Sequence, residues 1–104
     1  MYRYRLDNIR VLSEIELPLE SIQATTGPVV AVRQRGLEPL PGDEALTMRY
    51  GTVPGGQQVD ISGVGRFQVI PPYEIVVDIL SAEMVDRARD YIVYLLQQEP
   101  FQVR

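Results

Sequence analysis

The chain has 104 residues, 45% of them hydrophobic and 23% charged, a balance that fits a single folded domain over 1–104 and opposes global disorder. It contains no cysteine, histidine or lysine, which removes disulfides, thiolate nucleophiles, the usual zinc, copper and haem ligands, every Ser-His-acid arrangement, Schiff-base lysines and the phosphate-loop lysine. The net charge is −4, with five arginines against four acids in 1–36 and five against ten in 37–104, and an acidic body opposes affinity for nucleic-acid backbones.

The use of arginine for all 10 basic residues is attributed to codon bias in a GC-rich genome. No apolar run is long enough to cross a bilayer, and the opening Met1-Tyr2-Arg3-Tyr4-Arg5 lacks an apolar signal region. A cytoplasmic location without a membrane partner is expected.

Tyr2, Tyr4 and Leu6 alternate with Arg3 and Arg5, the period of a half-buried strand. Asp7-Asn8 interrupts the pattern as a bulge or bend before it resumes at Ile9 and Val11, and Leu17-Pro18-Leu19 ends the region. Residues 20–28, with Thr25, Thr26, Gly27 and Pro28, read as a loop. Val29 to Arg35 is a strand with Val30, Val32 and Gln34 on one face and Ala31, Arg33 and Arg35 on the other. Pro39, Pro41 and Gly42 make Leu37 to Asp43 a second loop.

A short strand is expected over Leu46 to Tyr50, ending at Gly51, followed by a turn at Pro54-Gly55-Gly56 and a strand from Gln58 to Ile61. Arg66–Ile70 and Glu74–Asp78 form a hairpin joined by the three-residue loop Pro71-Pro72-Tyr73. Only one segment reads as helical. Ser81 caps it, Glu83 lies in its first turn, and Met84, Val85, Ala88, Tyr91, Ile92, Leu95 and Leu96 form one apolar stripe. Asp86, Arg87, Arg89 and Asp90 take the other side, and Pro100 stops the helix. The expected fold is α+β, a mostly antiparallel sheet of about six strands with this C-terminal amphipathic helix on one face.

Gly63-Val64-Gly65 precedes a strand with no G-K-[ST] after it, so it reads as a turn or bulge rather than a phosphate cradle. Asp60, Glu74 and Asp78 lie on or near strands and are read as solvated polar faces rather than an acid–base pair. The tyrosines are read as core or rim rather than as nucleic-acid stacking platforms. Arg3, Arg5, Arg33 and Arg35 are the candidate binding residues. Each pair lies two apart on a strand, so if the strands are neighbours four guanidiniums line one patch suited to a phosphate, a carboxylate or an acidic peptide. Pairing of these arginines with nearby acids on a solvated face is the competing interpretation.

Three stretches in order carry a resemblance: Tyr2-Arg3-Tyr4-Arg5-Leu6 through Ile9-Arg10-Val11-Leu12-Ser13-Glu14-Ile15 to Leu17-Pro18; Gly63-Val64-Gly65-Arg66-Phe67 with Glu74-Ile75-Val76-Val77-Asp78; and the helix through Tyr91 and Leu95-Leu96. Together they resemble the N-terminal region of HPr kinase-related proteins, including the serine kinases of lasso-peptide gene clusters. The resemblance implies a bacterial β-rich domain of the kind that precedes a P-loop kinase domain. The chain runs to Gln97-Gln98-Glu99-Pro100-Phe101-Gln102-Val103-Arg104 without a lysine-containing phosphate loop, so no nucleotide-binding or catalytic residue carries over. What is implied is the leading domain alone, with no cofactor and no catalysis of its own.

Two functions are expected on these grounds. The first is an accessory module recognising a peptide or protein partner, for example of a kinase or peptide-modifying system, by adding an extended segment to a sheet edge. The second is a self-associating structural protein, a homo-oligomer in which Tyr94 and the Phe101–Val103 tail supply apolar contacts.

Overall fold

The computed structural model describes residues 1–21, 27–42, 47–71, 73–98 and 101. The expected loop residues Thr25, Thr26, Asp43 and Glu44, the strand start at Leu46, Pro72, the helix stop at Pro100 and the tail residues Gln102 and Val103 lie outside them. Seven strands and one helix make an α+β fold: β1 (Tyr2–Leu6), β2 (Ile9–Ser13), β3 (Val29–Gln34), β4 (Met48–Val53), β5 (Gly56–Ile61), β6 (Gly65–Ile70), β7 (Glu74–Ile79) and α1 (Val85–Leu96), the last preceded by a 3-10 turn at Ala82–Met84.

The seventh strand comes from Asp7-Asn8. This pair is the turn of a hairpin, not a bulge within one strand. Asp7 takes φ 53, a left-handed conformation that its short polar side chain tolerates, and the chain folds back so that Leu6 lies opposite Ile9. The strand order is β1-β2-β3-β7-β6-β5-β4. Four of the six pairings are antiparallel, but β3 runs parallel to both of its neighbours, with Arg10 opposite Val29 and Ala31 opposite Glu74. The sheet is therefore mixed. Alternation along a strand is the same in either direction, so the period-two pattern carries no sign of it.

Gly51 lies inside β4 instead of ending it. Its missing side chain makes room for Leu40: a Cβ at this position would come 2.7 Å from Leu40 Cδ2. The chain reverses at Pro54-Gly55, where proline precedes a glycine at φ 85, as a type II turn requires. The β6–β7 hairpin has the expected register, Ile70 opposite Glu74 around a three-residue loop. Ser81 also caps as expected, its Oγ accepting from the Glu83 N–H at 3.3 Å, although the first turn is 3-10.

The core lies between the sheet and α1. Tyr4, Ile9, Val11, Val30, Val32, Phe67, Ile75 and Val77 meet Ala88, Ile92 and Leu96 of the helix stripe, all buried. Leu17 closes the β1 side, its N–H donating to the buried Tyr4 hydroxyl at 2.9 Å. Phe101 is 1% exposed and belongs to this core, so it is not the free apolar contact expected of the tail.

Phe67 touches Tyr91 with ring centroids 4.8 Å apart and is fully buried. Phe67→Ala is expected to destabilise the fold by about 3–5 kcal/mol. Tyr4→Phe leaves the Leu17 N–H without its acceptor and is expected to cost about 1–3 kcal/mol. Both effects are read as lowered midpoints in urea unfolding at unchanged slope.

Candidate binding groove and the polar face behind it

Arg3, Arg5 and Arg33 lie on the sheet face opposite α1, because each alternates with a core residue, Tyr4 or Val32, and Arg35 follows directly after the end of β3. They do not form one patch: β2 separates β1 from β3. Arg35 Nη1 pairs with Glu14 Oε1 at 2.7 Å, and Arg33 Nε pairs with Glu74 Oε2 at 3.3 Å. The Arg35 guanidinium, with the Gln34 N–H that also donates to Glu14 Oε1, holds the Glu14 carboxyl below the usual carboxylate range. On the β1 side, Arg3 lies opposite Leu12, and Arg5 lies opposite Arg10, whose Nε donates to the Gly27 carbonyl at 3.0 Å.

Further along the same face, register lines up Arg49 on β4, Asp60 on β5, Arg66 on β6 and Asp78 on β7, each directly opposite the next. Arg49 Nη2 approaches Asp60 Oδ2 at 3.3 Å, and Arg66 reaches Asp60 at 4.0 Å and Asp78 at 3.5 Å. Asp60 is buried, so the expectation of a solvated carboxylate is corrected. Burial is tolerated because every charge alternates with its opposite and the lone pairs are used.

The partners are backbone groups of residues 37–40, which cross this row as a strap. The Leu37 N–H donates to Asp78 Oδ2 at 2.9 Å, and the Leu40 N–H donates to Asp60 Oδ2 at 2.7 Å. Arg49 Nη1 donates to the Leu40 carbonyl at 2.7 Å, and Gln58 Nε2 donates to the Glu38 carbonyl at 2.8 Å. The row serves to hold the strap. Asp60, Glu74 and Asp78 are each engaged by arginine and are not gathered around a common cleft. Among the described residues no group of acidic side chains is placed to hold a metal ion.

The feature the sequence did not announce is on the helix side. Between α1 and β4–β5 lies an open apolar groove of about 1190 Å³. Val69, Val59 and, at the sheet edge, Met48, Tyr50 and Thr52 form its floor, and Tyr91, Tyr94 and Leu95 of α1 form its wall. Three of these are exposed large apolar side chains: Tyr50 at 70%, Tyr94 at 53% and Met48 at 37%. Tyr91 and Tyr94 stack with ring centroids 5.7 Å apart, and the Tyr50 hydroxyl donates to Met48 Sδ at 3.2 Å. Arg87, Asp90 and Gln57 supply polar groups around it. The sequence signal was present but ambiguous: Met48, Tyr50 and Thr52 alternate as a half-buried face does, and nothing in that pattern says the face is left uncovered.

Comparison with family models, curated proteins and solved structures returned no match.

Asp60→Ala removes the acceptor shared by Leu40 and Arg49, and is expected to destabilise the domain by about 3 kcal/mol and expose the strap to protease cleavage near Pro39–Gly42. Burial, reinforced by the phenols of Tyr50 and Tyr94, pushes the Tyr91 hydroxyl above its ordinary value. The neutral phenol is therefore favoured in the folded state, so this contribution to stability is present below about pH 10 and is lost as pH rises through the raised folded value. Ultraviolet phenolate titration of the wild type against Tyr91→Phe should show the late-titrating group disappear.

Proposed function

We propose that this chain is a non-catalytic binding domain that recognises a peptide or protein partner in the groove between α1 and β4–β5. The observation that carries this is the concavity itself: an apolar trough flanked by tyrosines, on a chain without cysteine, histidine or lysine. Tyrosines suit such a role because they present a large rigid apolar body with a polar tip at low entropy cost. Polar groups at Arg87, Asp90 and Gln57 would fix the orientation of the bound segment.

The groove is a better recognition surface than the four arginines, since Arg33 and Arg35 are already paired with Glu74 and Glu14. The resemblance to HPr kinase-related N-terminal regions fits an accessory role beside a kinase or peptide-modifying enzyme in the bacterial cytoplasm. Among the described residues no helix is long and apolar enough to cross a membrane.

Selection of a random dodecapeptide display library on the immobilised domain tests the proposal. Enriched peptides are expected to be apolar and aromatic, and Tyr94→Ala should weaken them at least tenfold, about 1.4 kcal/mol. Tyr94 is half exposed, so its loss should leave folding intact. Arg33→Gln with Arg35→Gln should leave the same peptides bound and should not alter titration of an acidic peptide. No enrichment, or peptides indifferent to Tyr94, would sink the groove as the binding site.

A further inference from the structure

We infer that β4 pairs antiparallel with β4 of a second copy of this chain, about a two-fold axis at Tyr50, so that two grooves join into one trough. The two outer edges of the sheet differ. At β1, Ser21 forms an antiparallel bridge with Tyr4 and its hydroxyl donates to the Arg3 carbonyl at 3.3 Å. At β4, no strand among the described residues lies on the outer side.

The hydrogen-bond parity of β4 follows from its pairing with β5. The Ser62 N–H donates to the Thr47 carbonyl at 2.9 Å, so odd-numbered residues down to Val53 direct their main-chain groups at β5. Met48, Tyr50 and Thr52 therefore turn their N–H and C=O groups outward. Between Met48 and Thr52 there is no proline, and the one charged residue, Arg49, has a side chain only 14% exposed and engaged with Asp60. The devices that normally protect a sheet edge, charge and proline, are absent from the outward-bonding positions.

Self-pairing is restricted to few registers, because only even-numbered residues bond outward. Centred on Arg49, it would set Arg49 opposite its own copy, a like-charge pair across the strands. Centred on Gly51, it would set Met48 opposite Pro54, which has no N–H to give. Centred on Tyr50, it sets Tyr50 opposite Tyr50, Met48 opposite Thr52 and Arg49 opposite Gly51. No like charges face each other directly, and an aromatic pair forms at the axis. The second copy then extends the groove floor with its own β4 and supplies a second helical wall. The strand alone is a small contact beside the roughly 1,200 Å² of a stable interface, so dissociation in the range of about 10–100 µM is expected.

Sedimentation velocity from about 5 to about 500 µM should show a reversible monomer–dimer equilibrium. Tyr50→Lys and Tyr50→Glu should each weaken self-association at least tenfold, and an equimolar mixture should restore it as a heterodimer, because the two substituted positions face each other only across this axis. Thr52→Pro removes an outward N–H without removing a bond to β5 and should also shift the equilibrium to monomer. A wild type that stays monomeric at the highest concentration, single variants that still dimerise, or a mixture that does not recover would each overturn the inference. Peptide selection on dilute, monomeric domain is read separately, so failure of the dimer and failure of groove recognition give different results.

Discussion

One helix cannot roof seven strands. Strands lie about 4.8 Å apart, so the sheet is roughly 29 Å wide between its outer strands, whereas a helix with side chains covers roughly 10–12 Å. The apolar stripe of α1 is spent on the middle of the sheet, where Ala88, Ile92 and Leu96 meet Val32, Val77, Ile75 and Phe67. On the β1 side the uncovered width is closed by Ile15, Leu17 and Leu19, with Phe101 completing the core. On the β4 side no described residue does the same, and the groove is the consequence. Its existence follows from widths before any question of ligand arises.

The opposite face is covered by different physics. Of residues 37–40, which cross β4–β7, only Leu40 is fully buried, while Glu38 and Pro39 are exposed, so hydrophobic burial fixes the strap at one point. Instead the alternating row Arg49–Asp60–Arg66–Asp78 offers donors and acceptors at strand spacing, and the strap satisfies them with main-chain groups. Such a buried ionic row is poor evidence of extra stability, because desolvation offsets most of the attraction. It is good evidence of position: in this placement the strap satisfies Asp60, Arg49 and Gln58 together. Leu40 over Gly51 adds a steric peg to the same placement.

The two faces thus divide the work. The polar face is occupied by its own chain, and arginines that looked available in sequence are mostly engaged there. The apolar face is left with tyrosines and a methionine in solvent beside an edge strand. Chemistry that requires imidazole, thiolate or amine side chains is outside this chain's repertoire, because it holds no histidine, cysteine or lysine.

The sequence by itself determined the local facts: the α+β class, most strand spans, the β6–β7 hairpin with its three-residue loop, the Ser81 cap and the apolar stripe of α1 that carries Ala88, Ile92 and Leu96 into the core. These depend on periodicity and on backbone chemistry within a few residues, both written along the chain. It also determined the excluded chemistries, since a missing residue type is missing in every fold. Tertiary structure alone decided that β3 runs parallel between β2 and β7, that β2 separates the arginine pairs, that Asp60 is buried under a strap, and that no strand among the described residues lies outside β4. Strand direction, neighbour identity and coverage are relations between distant segments, and the same alternating pattern is compatible with either outcome.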